Sequence, residues 1–394
     1  MNNTKKLIVV ISSFFIMLCL GSVYAWSIIA NELIKKYYLL SSQSQLIFGL
    51  IIGVFPITMV FAGKLERVIS PKFLGMISAI FFVAGNLISG FSGGDFYLIL
   101  FGSGILVGIA TGCGYLIALT IPVKWFPERK GLITGIAAAG FGLAAILYSF
   151  ILEFMLKEGY DILDTLKILG VLYSLVIFLF ANFLQTPETI EVVNINVKDV
   201  LKSKVFYKLF FGIFFGTFAG LLVIGSLKNI GLYNNIRNDI LIYSISIFSI
   251  ANFSGRLFWG YISDTIGAVK SIIYALSLQA LSVFLLIFIY NSSMFFLMLS
   301  FLIGFSFASN FVLFAKETST IYGVNNLSKV YSYVFLGYSF SGIISPLTGG
   351  LLYDIFNTYN FGILIASIIS VIGSIIFIVS NIQYKNVLSK ENKI

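Results

Sequence analysis

Few side chains in this 394-residue chain could do chemistry. It has no histidine, which excludes Ser/His and Cys/His catalytic pairs, histidine metal sites and the usual proton shuttle near neutral pH. Its two cysteines, Cys19 and Cys113, both lie in apolar runs, so neither a disulfide framework nor a thiolate zinc site is available. No G-x-x-x-x-G-K-[ST] run offers a phosphate-cradling loop. The run Gly140-Phe141-Gly142-Leu143-Ala144-Ala145 fits G-x-G-x-x-A, but no strand precedes it, and it reads as packing. No enzyme activity, metal or cofactor is therefore expected. One cation remains. Arg256 lies inside an apolar run, eight positions before Asp264, hence about 12 Å inward along a helix. It reads as the only charge well inside any such run, with no embedded acid to pair with it. A guanidinium placed there costs about 2.5 to 3.5 kcal/mol even on the lenient insertion scale, so it faces a cavity and takes a partner. Either it snorkels or bonds backbone carbonyls to pin two helices, or its partner is an anion, gripped bidentately if that anion is a carboxylate. Asn252, one helical turn earlier, is placed to orient it or to touch the ligand. Tyr24, Tyr115, Tyr148 and Tyr338 also fall within apolar runs rather than at their ends, where their rings could wall a small cavity and their hydroxyls bond an anion, or simply pack.

The elements that must hold these groups are membrane helices. Hydrophobic residues make up 59% of the chain and charged residues 10%, against about 25% charged in soluble domains. Apolar runs fall at about 7–30, 45–62, 73–92, 96–121, 131–154, 164–185, 205–227, 240–262, 270–290, 293–315, 328–352 and 359–381. With the N-terminus inside, eighteen Lys and Arg fall in inner loops and tails and six in outer ones, Arg256 completing the 25, while the acids split evenly. The positive-inside rule thus puts both termini in the cytoplasm of a multi-pass plasma (inner) membrane protein, and the net charge of +9 reads as topology rather than a nucleic-acid surface. Lys5 and Lys6 followed by Val23-Tyr24-Ala25 imitate a secretory leader, but the apolar run continues past Ala25 and reads as the first span. A polar stretch beginning Gln185-Thr186-Pro187-Glu188 and carrying Lys198, Asp199, Lys202 and Lys204 divides the chain into bundles of six at 1–185 and 205–394, with 186–204 as a surface linker. Glycines every fourth residue, at 104, 108 and 112 and at 212, 216 and 220, suit close helix packing.

The halves also repeat a turn. Gly63-Lys64-Leu65-Glu66-Arg67 follows the second span, and Gly260 with Asp264, Gly267 and Lys270 follows the eighth. Each places a glycine, an acid and a base in the equivalent inner turn, which resembles the loop motif of the major facilitator superfamily, in degraded form in the first half. Further segments narrow the resemblance: Gly21-Ser22-Val23-Tyr24-Ala25-Trp26-Ser27, Gly112-Cys113-Gly114-Tyr115 leading to Pro122-Val123-Lys124-Trp125-Phe126-Pro127-Glu128-Arg129-Lys130-Gly131, Gly140-Phe141-Gly142, and Ser254-Gly255-Arg256 through Asp264. Over effectively its whole length the chain resembles the oxalate/formate antiporter family, related to the monocarboxylate transporters. The resemblance implies an all-α integral membrane fold of twelve helices in two pseudo-symmetric six-helix bundles, with Arg256 as the substrate-binding arginine. Two departures follow. Oxalate carriers place a lysine where Tyr338 stands here, and proton-coupled carriers often place an aspartate where Asn252 stands.

The expected function is alternating-access transport of a small organic anion, a monocarboxylate rather than a dianion, by exchange or facilitated movement. The partners expected are that carboxylate and the lipid bilayer, in a monomer without nucleic acid. Oxalate/formate-type or proton-linked carriage is the first alternative, and a non-transporting sensor of the same fold the second. An exporter of lipophilic cations would call for a membrane carboxylate.

Overall fold

The computed structural model describes residues 3–187, 195–290 and 292–391. Among them, eleven segments are long and apolar enough to cross a bilayer: α1 (Thr4–Ala25), α2 (Ser42–Leu65), α3 (Pro71–Gly90), α4 (Phe96–Trp125), α5 (Lys130–Lys157), α6 (Ile162–Ala181), α7 (Lys204–Tyr233), α9 (Ala268–Phe288), α10 (Ser293–Tyr322), α11 (Val324–Tyr353) and α12 (Asn360–Asn381). Between α7 and α9 runs α8 (Asn238–Ile266), 29 residues long, which carries the remaining expected span and Arg256. Each expected apolar run thus coincides with a helix. The middle of the expected linker, 188–194, lies outside the described residues, as does Lys393; after it comes a single short helix, Val197–Lys202.

Local chemistry sets the ends. Ser203 accepts from the Phe206 amide at the start of α7, and Asp95 from the Leu98 amide at the start of α4. Trp125 ends α4 and donates its indole N–H to the Gln185 carbonyl at 2.7 Å, tying that end to the linker's start. On the far side of the membrane the first helix continues as Trp26–Tyr37, and its end is clasped to the α5–α6 turn. There Asp161 caps α6 through the Leu163 amide while taking the Tyr37 hydroxyl at 2.7 Å and the Lys36 ammonium.

Packing repeats at an offset of six helices. The pairs α1·α5, α2·α4, α3·α6, α1·α6 and α3·α4 recur as α7·α11, α8·α10, α9·α12, α7·α12 and α9·α10. Two crossings, α5·α8 and α2·α11, join the bundles and are themselves related by the same offset. Large apolar side chains such as Phe150, Leu175 and Ile355 point outward, which water would penalise and lipid does not.

Four helices are interrupted. In α1, Gly21–Ala25 tightens to a 3-10 turn; in α4, Leu100–Leu106 widens to a π-helix; α10 breaks between Phe307 and Asn310; α11 breaks at Phe335. Three of these interruptions lie at or beside Tyr24, Phe311 and Phe335, so irregular backbone falls where the bundles face each other.

Candidate functional site

Arg256 is fully buried, with 0% exposure. Its Nε donates to Asn252 Oδ1 at 2.9 Å, the i, i+4 contact that a helix allows. Its Nη1 donates to the Ala138 carbonyl at 2.7 Å, across the bundle interface in α5. The guanidinium carbon lies 4.5 Å from the Phe311 ring centre and 5.7 Å from that of Phe141, so one ring from each bundle sandwiches the charge. Among the described residues Nη2 has no hydrogen-bond partner. Nη1 thus ties two helices through a backbone carbonyl, while Nη2 donates to no described residue.

Around the guanidinium stands a cluster of rings. Phe55 lies 5.0 Å from Tyr115, Tyr115 lies 5.4 Å from Phe141 and 5.5 Å from Phe335, and Phe335 lies 5.1 Å from Tyr338. Tyr24 packs edge-on to Phe141 at 5.0 Å, and its hydroxyl meets that of Tyr338 at 3.1 Å, a phenol pair joining α1 to α11. The Tyr24 hydroxyl also lies within reach of the Arg256 guanidinium, but outside the geometry of a full hydrogen bond to Nη2. Two further hydroxyls near that charge, of Tyr115 and Tyr331, are buried without partners. A buried cationic N–H and two buried hydroxyls left unsatisfied form a set that a small anion with lone pairs would complete.

Tyr24, Tyr115, Asn252 and Tyr338 thus gather at Arg256. Tyr148 does not: it packs on Tyr173 at 5.4 Å and lines a small cavity with Ser22, Trp26 and Asn86. The sequence reading did not single out Phe55, Phe141, Phe311, Tyr331 or Phe335. Tyr331 carried a usable signal, since it stands seven residues before Tyr338 and so two turns back on the same helix stripe. Arg256 is not the only buried charge. Helix α10 runs on beyond 315 and buries Lys316 and Glu317 to 9% and 8% exposure at its basic-face end.

The repeated turns lie on the membrane face whose loops are rich in Lys and Arg, the basic face. Asp264 accepts from the Gly131 and Leu132 amides at 2.9 and 2.8 Å, capping α5 from the opposite bundle, and pairs with Lys316. Lys316 also donates to the Ser263 carbonyl, and Lys130 reaches the Ser319 carbonyl at 3.4 Å. This latch requires close backbones: a Cβ on Gly260 would stand 2.5 Å from the Gly131 carbonyl oxygen. Gly267, at φ +88°, supplies the left-handed turn that separates α8 from α9. In the first half Glu66 pairs instead with Lys124 of its own bundle at 2.6 Å, both nearly buried. Arg67 is exposed beside it.

A family model described as Major Facilitator Superfamily matches residues 7–237 and 209–391. The chain belongs to the major facilitator superfamily and is a multi-pass membrane transporter. It is 29% identical over 343 residues to the uncharacterized MFS-type transporter YhjX of Escherichia coli (strain K12), covering 84% of this chain and 85% of that one. It is 26% identical over 277 residues to the oxalate:formate antiporter of Oxalobacter formigenes, covering 68% and 66%. Similarity to monocarboxylate transporter 9 of Rattus norvegicus is 28% over 172 residues, 42% of this chain and 32% of that one. The solved structure of the transporter FucP in the outward conformation superposes with a TM-score of 0.71 at 14% identity, over 95% of this chain and 98% of that one, a likeness of fold.

Proposed function

We propose that the protein carries a small organic anion, a monocarboxylate, bound to Arg256 Nη2 and the neighbouring phenols, by alternating access of bundles 1–185 and 205–394 about the linker 186–204. The observation that carries this is the buried Nη2 with no partner, beside the two unsatisfied hydroxyls of Tyr115 and Tyr331. Similarity to an oxalate:formate antiporter and to monocarboxylate transporters supports a carboxylate. A monoanion fits better than a dianion. The position facing the site from α11 is the neutral Tyr338, and Lys316, farther along α10, is committed to Asp264 at the basic-face turn. A second carboxylate left against rings costs several kcal/mol.

Exchange fits better than net movement. When the anion leaves, Arg256 keeps no acid among the described residues, only the neutral Asn252, the Ala138 carbonyl, the Tyr24 hydroxyl and two phenylalanine rings, and occluding a cation without a counter-charge is disfavoured. The loaded carrier cancels that charge and reorients, while the empty one stalls. The basic face, carrying both termini, is the cytoplasmic side of the plasma (inner) membrane by the positive-inside rule. The test is counterflow in proteoliposomes loaded in turn with formate, acetate, lactate, pyruvate, oxalate and an amine. Labelled monocarboxylate should accumulate only against a preloaded monocarboxylate, with exchange much faster than net efflux. Counterflow supported by the amine, or by oxalate above every monoanion, would refute the assignment.

A further inference from the structure

The two halves use the acid of their repeated turn differently, and on one side a cleft results. Gly63 lies against the Ser328 carbonyl oxygen of α11, 2.9 Å from where a Cβ would stand, so α2 meets α11 much as α8 meets α5 at Gly260. Asp264 reaches across its crossing to the other bundle, whereas Glu66 turns back to Lys124. Among the described residues no acid therefore bridges the α2·α11 crossing. Beside Gly63, between α2, α11 and the segment 195–201, is a cavity of about 720 Å³ on the basic face. Lys64, Arg67, Lys198 and Lys329 line it, and among the described residues no carboxylate does. Among the described residues none of the four pairs with an acid; Lys329 reaches only the Ile195 carbonyl, and Lys64 only the Phe61 ring. Like charges gathered in a cleft with low-dielectric walls focus a positive potential and draw in a counter-charge. Arg67 offers a fork for two oxygens, while the lysines act as point charges, which is the donor set of a phosphate site. Basic pockets between membrane helices suit lipid headgroups for the same reason.

We propose that this cleft binds a phosphate group, from an anionic lipid headgroup or from a soluble phosphate, whose oxygens link Lys64 and Arg67 of one bundle to Lys329 of the other. The bound anion occupies the place across α2·α11 that Asp264 fills across α5·α8. The site is separate from Arg256 and does not depend on what Arg256 carries.

The test uses full-length protein in neutral detergent, with native mass spectrometry after incubation with phosphatidylglycerol, phosphatidylcholine or inorganic pyrophosphate. Wild-type protein should retain phosphatidylglycerol or pyrophosphate, and the Lys64→Gln/Lys329→Gln protein should retain it at least tenfold less. Retention of the lipid alone identifies the bilayer as the source, and retention of pyrophosphate alone identifies a soluble anion. The Lys329→Arg protein, with an unchanged melting temperature, should still bind. Equal retention by wild type and the double variant, equal retention of phosphatidylcholine, or no adduct with either phosphate probe would overturn the site. So would a folded Lys329→Arg protein that binds no better than the double variant.

Discussion

Replacing Asp264 with Asn should unlatch the basic face while leaving the Arg256 site intact. The carboxylate accepts two amide hydrogens from the opposite bundle, at 2.9 and 2.8 Å, and its side chain is only 16% exposed. Each such charge-assisted bond contributes about 1.5 to 3 kcal/mol net. Asparagine retains one neutral acceptor, worth about 1 kcal/mol, and turns an N–H toward the second amide. The bonds between bundles therefore weaken by about 2 to 5 kcal/mol, before counting the lost Lys316 pair. At about 1.4 kcal/mol per factor of ten, the population open on that face rises at least ~30-fold. Ser319, fully buried next to Lys130, reports the opening. With Cys19→Ser and Cys113→Ser to silence the native thiols, a Ser319→Cys protein should react slowly with a membrane-impermeant maleimide supplied on the basic face. Adding Asp264→Asn should raise that rate by the same factor. An unchanged rate in a correctly folded protein would mean that the closed face is held by apolar packing rather than by the capped helix.

At Arg256, substitution by Gln should abolish exchange, and Arg256→Lys should slow it about tenfold to a hundredfold, because an ammonium cannot reproduce the planar group that holds Asn252 and the Ala138 carbonyl while turning Nη2 to the anion; full counterflow by a well-expressed Gln protein would remove Arg256 from the site. Tyr338→Lys should shift competition toward oxalate by supplying a second cation, read as the ratio of oxalate to monocarboxylate inhibition. On the far face, burial pushes the Asp161 carboxyl up, but the Lys36 and Tyr37 hydrogen bonds and the Leu163 amide outweigh it and hold the group below its ordinary value. A depressed carboxylate stabilises the fold above the unfolded pKa of about 4 and loses that contribution as pH falls through the lower folded value. Asp161→Asn should thus lower the melting temperature at pH 7, and the gap to wild type should close below about pH 4.

What could be read from the sequence followed the contrast of each residue with its surroundings. A guanidinium in an apolar run stands out on solvation cost alone, and Asn252 follows from helical spacing. The twelve helices followed from apolar length. Mid-span tyrosines were visible, but nothing local distinguishes Tyr148, which packs within its own bundle, from Tyr115, which faces the other. Phe311, which with Phe141 sandwiches the charge, is one among 41 phenylalanines and carries no signal of its own, while Phe141 stood out only as part of Gly140-Phe141-Gly142. Glu317 and Lys316 sat at the end of an apolar run, where a loop and a buried helix end read alike. The opposite behaviour of Glu66 and Asp264 depends on which helix lies opposite each turn, information that exists only in three dimensions.

The acceptor for Arg256 Nη1 is the main-chain oxygen of Ala138. No side-chain replacement at 138 removes that oxygen, and none can donate a new charge in its place without moving α5. Genetic selection for recovered growth in an Arg256 mutant should accordingly yield same-site revertants, or changes that reposition α5 as a unit, and no compensating charge at position 138. Sequence drift along α5 can resize the cavity and retune its selectivity while the anchoring of the cation stays outside the reach of point mutation.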